Sequence, residues 1–191
     1  MEEEKLDSKI DIISHAKSLV KHSNSKEEKN YIFFGDHMSG KTTIFNLLFK
    51  DKKERDVSGY SKTCGINYNN TTANMTNYKK ILMNGYELGG GLESMAFLSN
   101  IVHEQNLNQT IFILVIDLSK PEKILNIINK ATSNLSSLLG SICSPEILRD
   151  CVNEKKSKIQ NKNELSHINP QPWNLVIIGT KYDMLEKIDV E

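Results

Sequence analysis

The sequence predicts an α/β domain built on a mostly parallel sheet. Three observations carry that expectation. TIFILVID (Thr110 to Asp117) is a continuous apolar run of strand length, which suits a central parallel strand covered on both faces. YIFF (Tyr31 to Phe34) is a second short apolar run, and it breaks straight into glycine. Ile124, Ile128, Ala131, Leu135 and Leu138 then recur at helical spacing, so strand and helix patterns alternate along the chain.

Taken in order, residues 1–22 form an N-terminal segment that reads as an amphipathic helix from residue 4, with Leu6, Ile10, Ile13 and Val20 on one face. HSNSKEEKN (22–30) is polar, and a linker is expected over 23–30. Residues 31–191 form the main domain. After the YIFF strand, a helix is expected from Gly40 to about Phe49, with Ile44, Leu47 and Leu48 inward. DKKERDVSGYSK (51–62) reads as a charged loop, TCGINYNNT (63–71) as a weak edge strand, and YKKILMNGYEL (78–88) as a strand leading into three glycines. Ser119 and Glu122 fit a capping box for the next helix, which Gly140 can close with a left-handed cap. Residues 141–172 form a long insertion, helical in part over EILRDCVNEKKSKI and loop-like over QNKNELSHINPQP. NLVIIGTKYD (174–183) is a further apolar strand with a polar end.

Composition narrows the function classes. Lys plus Arg and Asp plus Glu stand at 24 each, so formal charge is zero and no basic stripe points to nucleic acid. The longest apolar run is six residues, Ile111 to Ile116, against the roughly 20 of a spanning helix, so no membrane insertion is expected. The acidic start lacks an apolar signal region, which points to the cytosol. Cys64, Cys143 and Cys151 lack CxxC spacing and read as reduced structural thiols.

GDHMSGKT (Gly35 to Thr42) fits G-x-x-x-x-G-K-[ST] and sits between an apolar strand and a helix, where a phosphate loop works. Gly35, Asp36, Ser39, Gly40 and Thr43 would present the loop to phosphate oxygens at the helix N-terminus, and Lys41 would reach the β- and γ-phosphates. Thr42 would ligate Mg²⁺. His37 and Met38 read as loop fillers. TKYD (Thr180 to Asp183) matches the guanine-reading [NT]-K-x-D box of Ras-like proteins: Asp183 would accept from guanine N1–H and the 2-amino group, while the Lys181 stem covers the base. Thr63, in a segment resembling their switch I, and Glu87 would complete a Mg²⁺ site. Gly90 could donate its N–H to a γ-phosphate. Gly91 stands where a water-positioning glutamine is expected and has no side chain to orient water, so slow or absent hydrolysis is expected.

These blocks together resemble a Ras-like P-loop NTPase fold that lacks its last strand and helix. YELGGG, VIDLSKP and NPQPWNLVIIGTKYD resemble the dynein light intermediate chain family over roughly residues 4–190, and the glycine triplet with DLSKP is most similar to its ciliary, dynein-2 branch. The resemblance implies a non-catalytic subunit, whose partners are the dynein-2 heavy chain and other dynein-2 subunits. It further implies retrograde intraflagellar transport and cilium assembly, in the cytoplasm, cytoskeleton and cilium. GDP or GTP with Mg²⁺ is the implied cofactor. The face carrying Leu6, Ile10 and Ile13 has two readings, packing on its own domain or docking on the heavy chain. The alternative function is a small Ras- or Rab-type GTPase that hydrolyses GTP as a switch; a P-loop ATPase or kinase fits less well, given Asp183. Because the sequence stops at Glu191, the strand at 174–180 is expected to lie on an open edge, as a fragment or beneath another chain.

Overall fold

The computed structural model describes residues 27–50, 63–74, 80–159 and 169–185. The N-terminal helix expected over 1–22, the charged loop at 51–62 and part of the 141–172 insertion lie outside the described residues.

Five strands form one mixed sheet, in the order β2-β3-β1-β4-β5. β1 is Glu27–Gly35, β2 Ile66–Asn74, β3 Lys80–Leu88, β4 Thr110–Asp117 and β5 Asn174–Thr180. β1 pairs in parallel with β3 and β4, β4 pairs in parallel with β5, and β2 alone runs antiparallel, beside β3. β1 begins earlier than its apolar run: Glu27 to Asn30 belong to the strand, not to the expected linker, because their backbones pair with Ile81 to Asn84. Main-chain pairing at a sheet margin tolerates polar side chains, so composition did not reveal it.

Alternation along the central strands divides the core. Ile32, Phe34, Phe112, Leu114 and Ile116 face one side, and Phe33, Ile113 and Val115 face the other. α1 (Lys41–Phe49) covers the second side with Phe45 and Phe49. Leu47 and Leu48 are half exposed, which corrects the expected inward face; Ile44 packs at the margin. The aromatic rings decide the helix rotation: Phe45 stacks on Phe49 at 5.1 Å, and both meet the edge of Phe33. Gly85 makes room for them, since a Cβ there would lie 2.7 Å from the Phe49 ring.

The first side is covered by α2 (Pro121–Ile142) through Ile127, Ala131, Leu135 and Leu139, with Ile124, Ile128 and Leu138 flanking them. Lys120, not Ser119, is the N-cap residue, and Ser119 turns back to bond Asp117. The helix also runs through Gly140 to Ile142, because Leu139 and Cys143 are both anchored in the core. Within the expected insertion lies α3 (Pro145–Lys158), with Cys151 buried. Two 3₁₀ segments, Leu92–Asn100 and Glu104–Gln109, complete this layer with Met95, Leu98 and Leu107; the periodicity reading had no element there. A four-residue helix, α4 (Tyr182–Leu185), follows β5.

Candidate functional site

The carboxyl ends of β1, β3 and β4 open onto a single corner of the sheet. β1 runs into the loop 36–40, and that loop opens α1. Gly35 sits at φ 145°, and a Cβ there would lie 2.2 Å from the Val115 carbonyl oxygen, so only glycine lets the chain leave β1 this close to β4. Gly40, at φ 92°, is the N-cap of α1, where no side chain caps the helix and no acidic residue occupies the first turn. The free N–H groups and the positive end of the helix dipole therefore face the loop. Ser39 is fully buried there, and its Oγ has no hydrogen-bond partner. A buried hydroxyl without a partner beside an uncapped helix start suits an oxygen-rich anion.

Lys41 is buried and donates from Nζ to the carbonyl oxygens of Gly35 (3.2 Å), Asp36 (2.7 Å) and Gly90 (2.9 Å). Burial pulls its ammonium below the ordinary lysine range, against the opposing charges of Glu87, Asp36 and Glu93. Gly90 thus turns its carbonyl toward Lys41. The Asp36 carboxylate accepts the His37 N–H at 2.8 Å. Glu87, at the end of β3, is fully buried and accepts from the hydroxyls of Thr42 and Thr63 and from Asn67 Nδ2. His37, Met38, Ser39, Gly40, Lys41, Thr42, Thr43, Thr63, Glu87, Gly89 and Gly90 line one cavity of about 750 Å³.

Thr180, Lys181 and Asp183 are absent from that lining. Thr180 instead ties β5 to the loop, donating to Ser39 O at 2.6 Å and Ile116 O at 3.1 Å. Lys181, left-handed at φ 57°, reaches Asp117 Oδ2 at 2.5 Å. Asp183 is exposed in α4.

Three participants were missed by sequence reasoning. His37 is no filler: its Nε2 meets Glu93 Oε1 at 3.0 Å, bridging the loop to the glycine triplet. Glu93 also accepts the Gly91 N–H at 2.8 Å. Backbone N–H groups at Glu93 and Gly91, then the neighbouring His37, hold its carboxyl below the ordinary range. Asn67 sits on a strand whose register alone brings it to Glu87, and no local pattern marks it.

A mixed five-stranded α/β domain with an anion-complementary strand–loop–helix cradle at its carboxyl edge is the class defined here. Within it, the chain belongs to the dynein light intermediate chain family, whose profile matches residues 3–170. It is 29% identical over 174 residues to cytoplasmic dynein 2 light intermediate chain 1 of Homo sapiens, covering 86% of this chain and 48% of that protein. It is 27% identical over 178 residues to the Danio rerio protein of the same name, covering 86% and 46%. The chain spans about half the length of these relatives. Among solved structures, the conserved domain of a dynein light intermediate chain superposes with a TM-score of 0.59 at 15% identity, over 86% of this chain and 58% of that one. At that identity the likeness concerns the fold alone.

Proposed function

We propose that the chain is a non-catalytic light intermediate chain subunit of cytoplasmic dynein-2, docked on the motor's heavy chain. In that role it supports retrograde intraflagellar transport and cilium assembly, and works in the cytoplasm, on the cytoskeleton and in the cilium. The observation that carries this reading is the similarity to dynein-2 light intermediate chains over 86% of the sequence. The cradle is read as the phosphate loop of a Ras-like domain that takes GDP or GTP. The sheet order with one antiparallel edge strand supports that reading, as do the glycine-built loop and the unpartnered Ser39 hydroxyl.

The same geometry supports a binding rather than a catalytic role. Gly91 offers no side chain to position water, and a Cβ there would lie 2.5 Å from Glu93 Oε2 and 3.0 Å from His37 Cδ2. The neighbouring His37 and Glu93 side chains are exposed and can move aside, so it is the missing side chain at Gly91 that counts, since phosphoryl transfer depends on positioning the attacking water. No helix among the described residues is long and apolar enough to cross a membrane.

The test joins two measurements on the same preparation. The tagged chain is expressed in ciliated cells, and its capture of dynein-2 heavy chain is measured. The purified chain is then denatured, and released nucleotide is identified by chromatography. Heavy-chain capture together with stoichiometric guanine nucleotide, lost in Lys41→Ala, is the expected result. Captured heavy chain with no nucleotide confines the role to a scaffold; absence of heavy chain removes the subunit assignment.

A further inference from the structure

The cradle was expected to hold Mg²⁺ through Thr42, Thr63 and Glu87, but the carboxylate is already committed. Glu87 is fully buried, and each of its oxygens is engaged by protein donors. The Thr42 hydroxyl donates to Oε1, while the Thr63 hydroxyl (2.9 Å) and Asn67 Nδ2 (3.1 Å) donate to Oε2. Two hydroxyls that shared one Mg²⁺ would each lie about 2.1 Å from the ion. Here they donate to different oxygens of one carboxylate, so Glu87 itself joins the two threonines that a shared ion would otherwise join. An aspartate, one methylene shorter, would reach less far toward both hydroxyls.

The surroundings hold this arrangement in place. The Gly89 N–H donates to Gly65 O at 2.7 Å, and a Cβ on Gly89 would lie 2.2 Å from Thr63 O. The segment carrying Thr63 is therefore clamped against the end of β3. Withdrawing Glu87 would leave a buried carboxylate short of its donors, which is costly. The parts that face an anion remain free of this arrangement: the uncapped start of α1 and the unpartnered Ser39 hydroxyl.

We propose that the cradle takes a phosphoanion without a divalent cation, Glu87 holding Thr42 and Thr63 together where a shared metal would. This rests on the reading of the cradle as a nucleotide site.

The experiment measures binding of fluorescent mant-GDP to the full chain, in excess EDTA and in excess Mg²⁺. Wild type, Glu87→Asp and Lys41→Ala are compared, with circular dichroism to check that each is folded. Wild type should show the same affinity in both buffers within about threefold, whereas Glu87→Asp should bind at least about tenfold more tightly with Mg²⁺. Lys41→Ala should lose binding in both. A second readout is the electron paramagnetic resonance of Mn²⁺ added with GDP, which should match Mn²⁺–GDP in free solution when wild type is present and broaden with Glu87→Asp.

A wild type that weakens about tenfold in EDTA, or that gives a protein-bound Mn²⁺ spectrum, overturns this inference and leaves the nucleotide reading standing. A Glu87→Asp variant that stays indifferent to Mg²⁺ overturns the role given to Glu87. A folded wild type that binds mant-GDP in neither buffer overturns the nucleotide reading, and this inference with it.

Discussion

Single residues decide how closely the chain can pass itself at the cradle. Gly35 faces a backbone carbonyl 2.2 Å from where a Cβ would stand, at a φ that L side chains rarely adopt. The obstacle is another strand's main chain, so it cannot rotate away. Gly35→Ala should cost about 3 kcal/mol in urea unfolding, and a cost below about 1 kcal/mol would show that β1 and β4 separate easily. A second residue-scale device is the Asp117–Lys181 pair. Burial lifts the Asp117 carboxyl, but hydrogen bonds from Lys181 and Ser119 outweigh it and hold the carboxyl below the ordinary carboxylate range. A value depressed on folding gives stability that is present above the unfolded value of about 3.9 and lost as pH falls through the folded one. Lys181→Met should therefore cost about 1 kcal/mol at neutral pH, a small figure because the lysine side chain is 36% exposed and screened. The variant should also lose less stability than wild type on acidification; an unchanged acid limb would detach the pair from the pH dependence.

At the scale of elements, α2 shows where a sequence rule yields to packing. Gly140 reads as a cap by composition, yet the helix continues through it because Leu139 and Cys143 are buried on either side. Gly140 is absent from the positive-φ residues, and a Cβ there would meet nothing within 4 Å. Gly140→Ala should then stabilise the chain by about 0.5–1 kcal/mol, read as a rise in the urea midpoint, whereas destabilisation would restore the cap. The same contrast explains what was legible. β4 was readable to the residue because six consecutive apolar side chains need cover on both faces. The loop after β1 was readable because its glycines and lysine lie within eight residues. The two 3₁₀ segments were not, since they are short and their buried Met95, Leu98 and Leu107 follow no period. Leu47 and Leu48 were placed inward by hydropathy, but the Phe33, Phe45 and Phe49 rings set the rotation of α1. Asn67 and Glu93 reach the site only through sheet register and loop closure, which sequence spacing does not encode.

Across the whole molecule, the two sheet edges carry different chemistry. β2 ends one side with INYNNTTAN, in which asparagine and threonine dominate. β5 ends the other with NLVIIGT; among the described residues it pairs only with β4, and Val176 and Ile177 are 46% and 47% exposed. An apolar edge with free N–H and C=O groups is a template for another strand, and charged side chains are the usual way such edges are blunted. Val176 suits a lysine because its side chain is half in water, while Leu175 and Ile178 pack against the two cores and should be left alone. The 191-residue chain should therefore self-associate as its concentration rises, and Val176→Lys should shift it toward monomer at unchanged fold. Sedimentation velocity over a concentration series, with circular dichroism as the fold check, reads both. If wild type and variant sediment alike as monomers, β5 is not an open edge in solution. If both associate alike, the contact lies elsewhere, and the polar β2 edge with its half-exposed Tyr68 becomes the next surface to mutate.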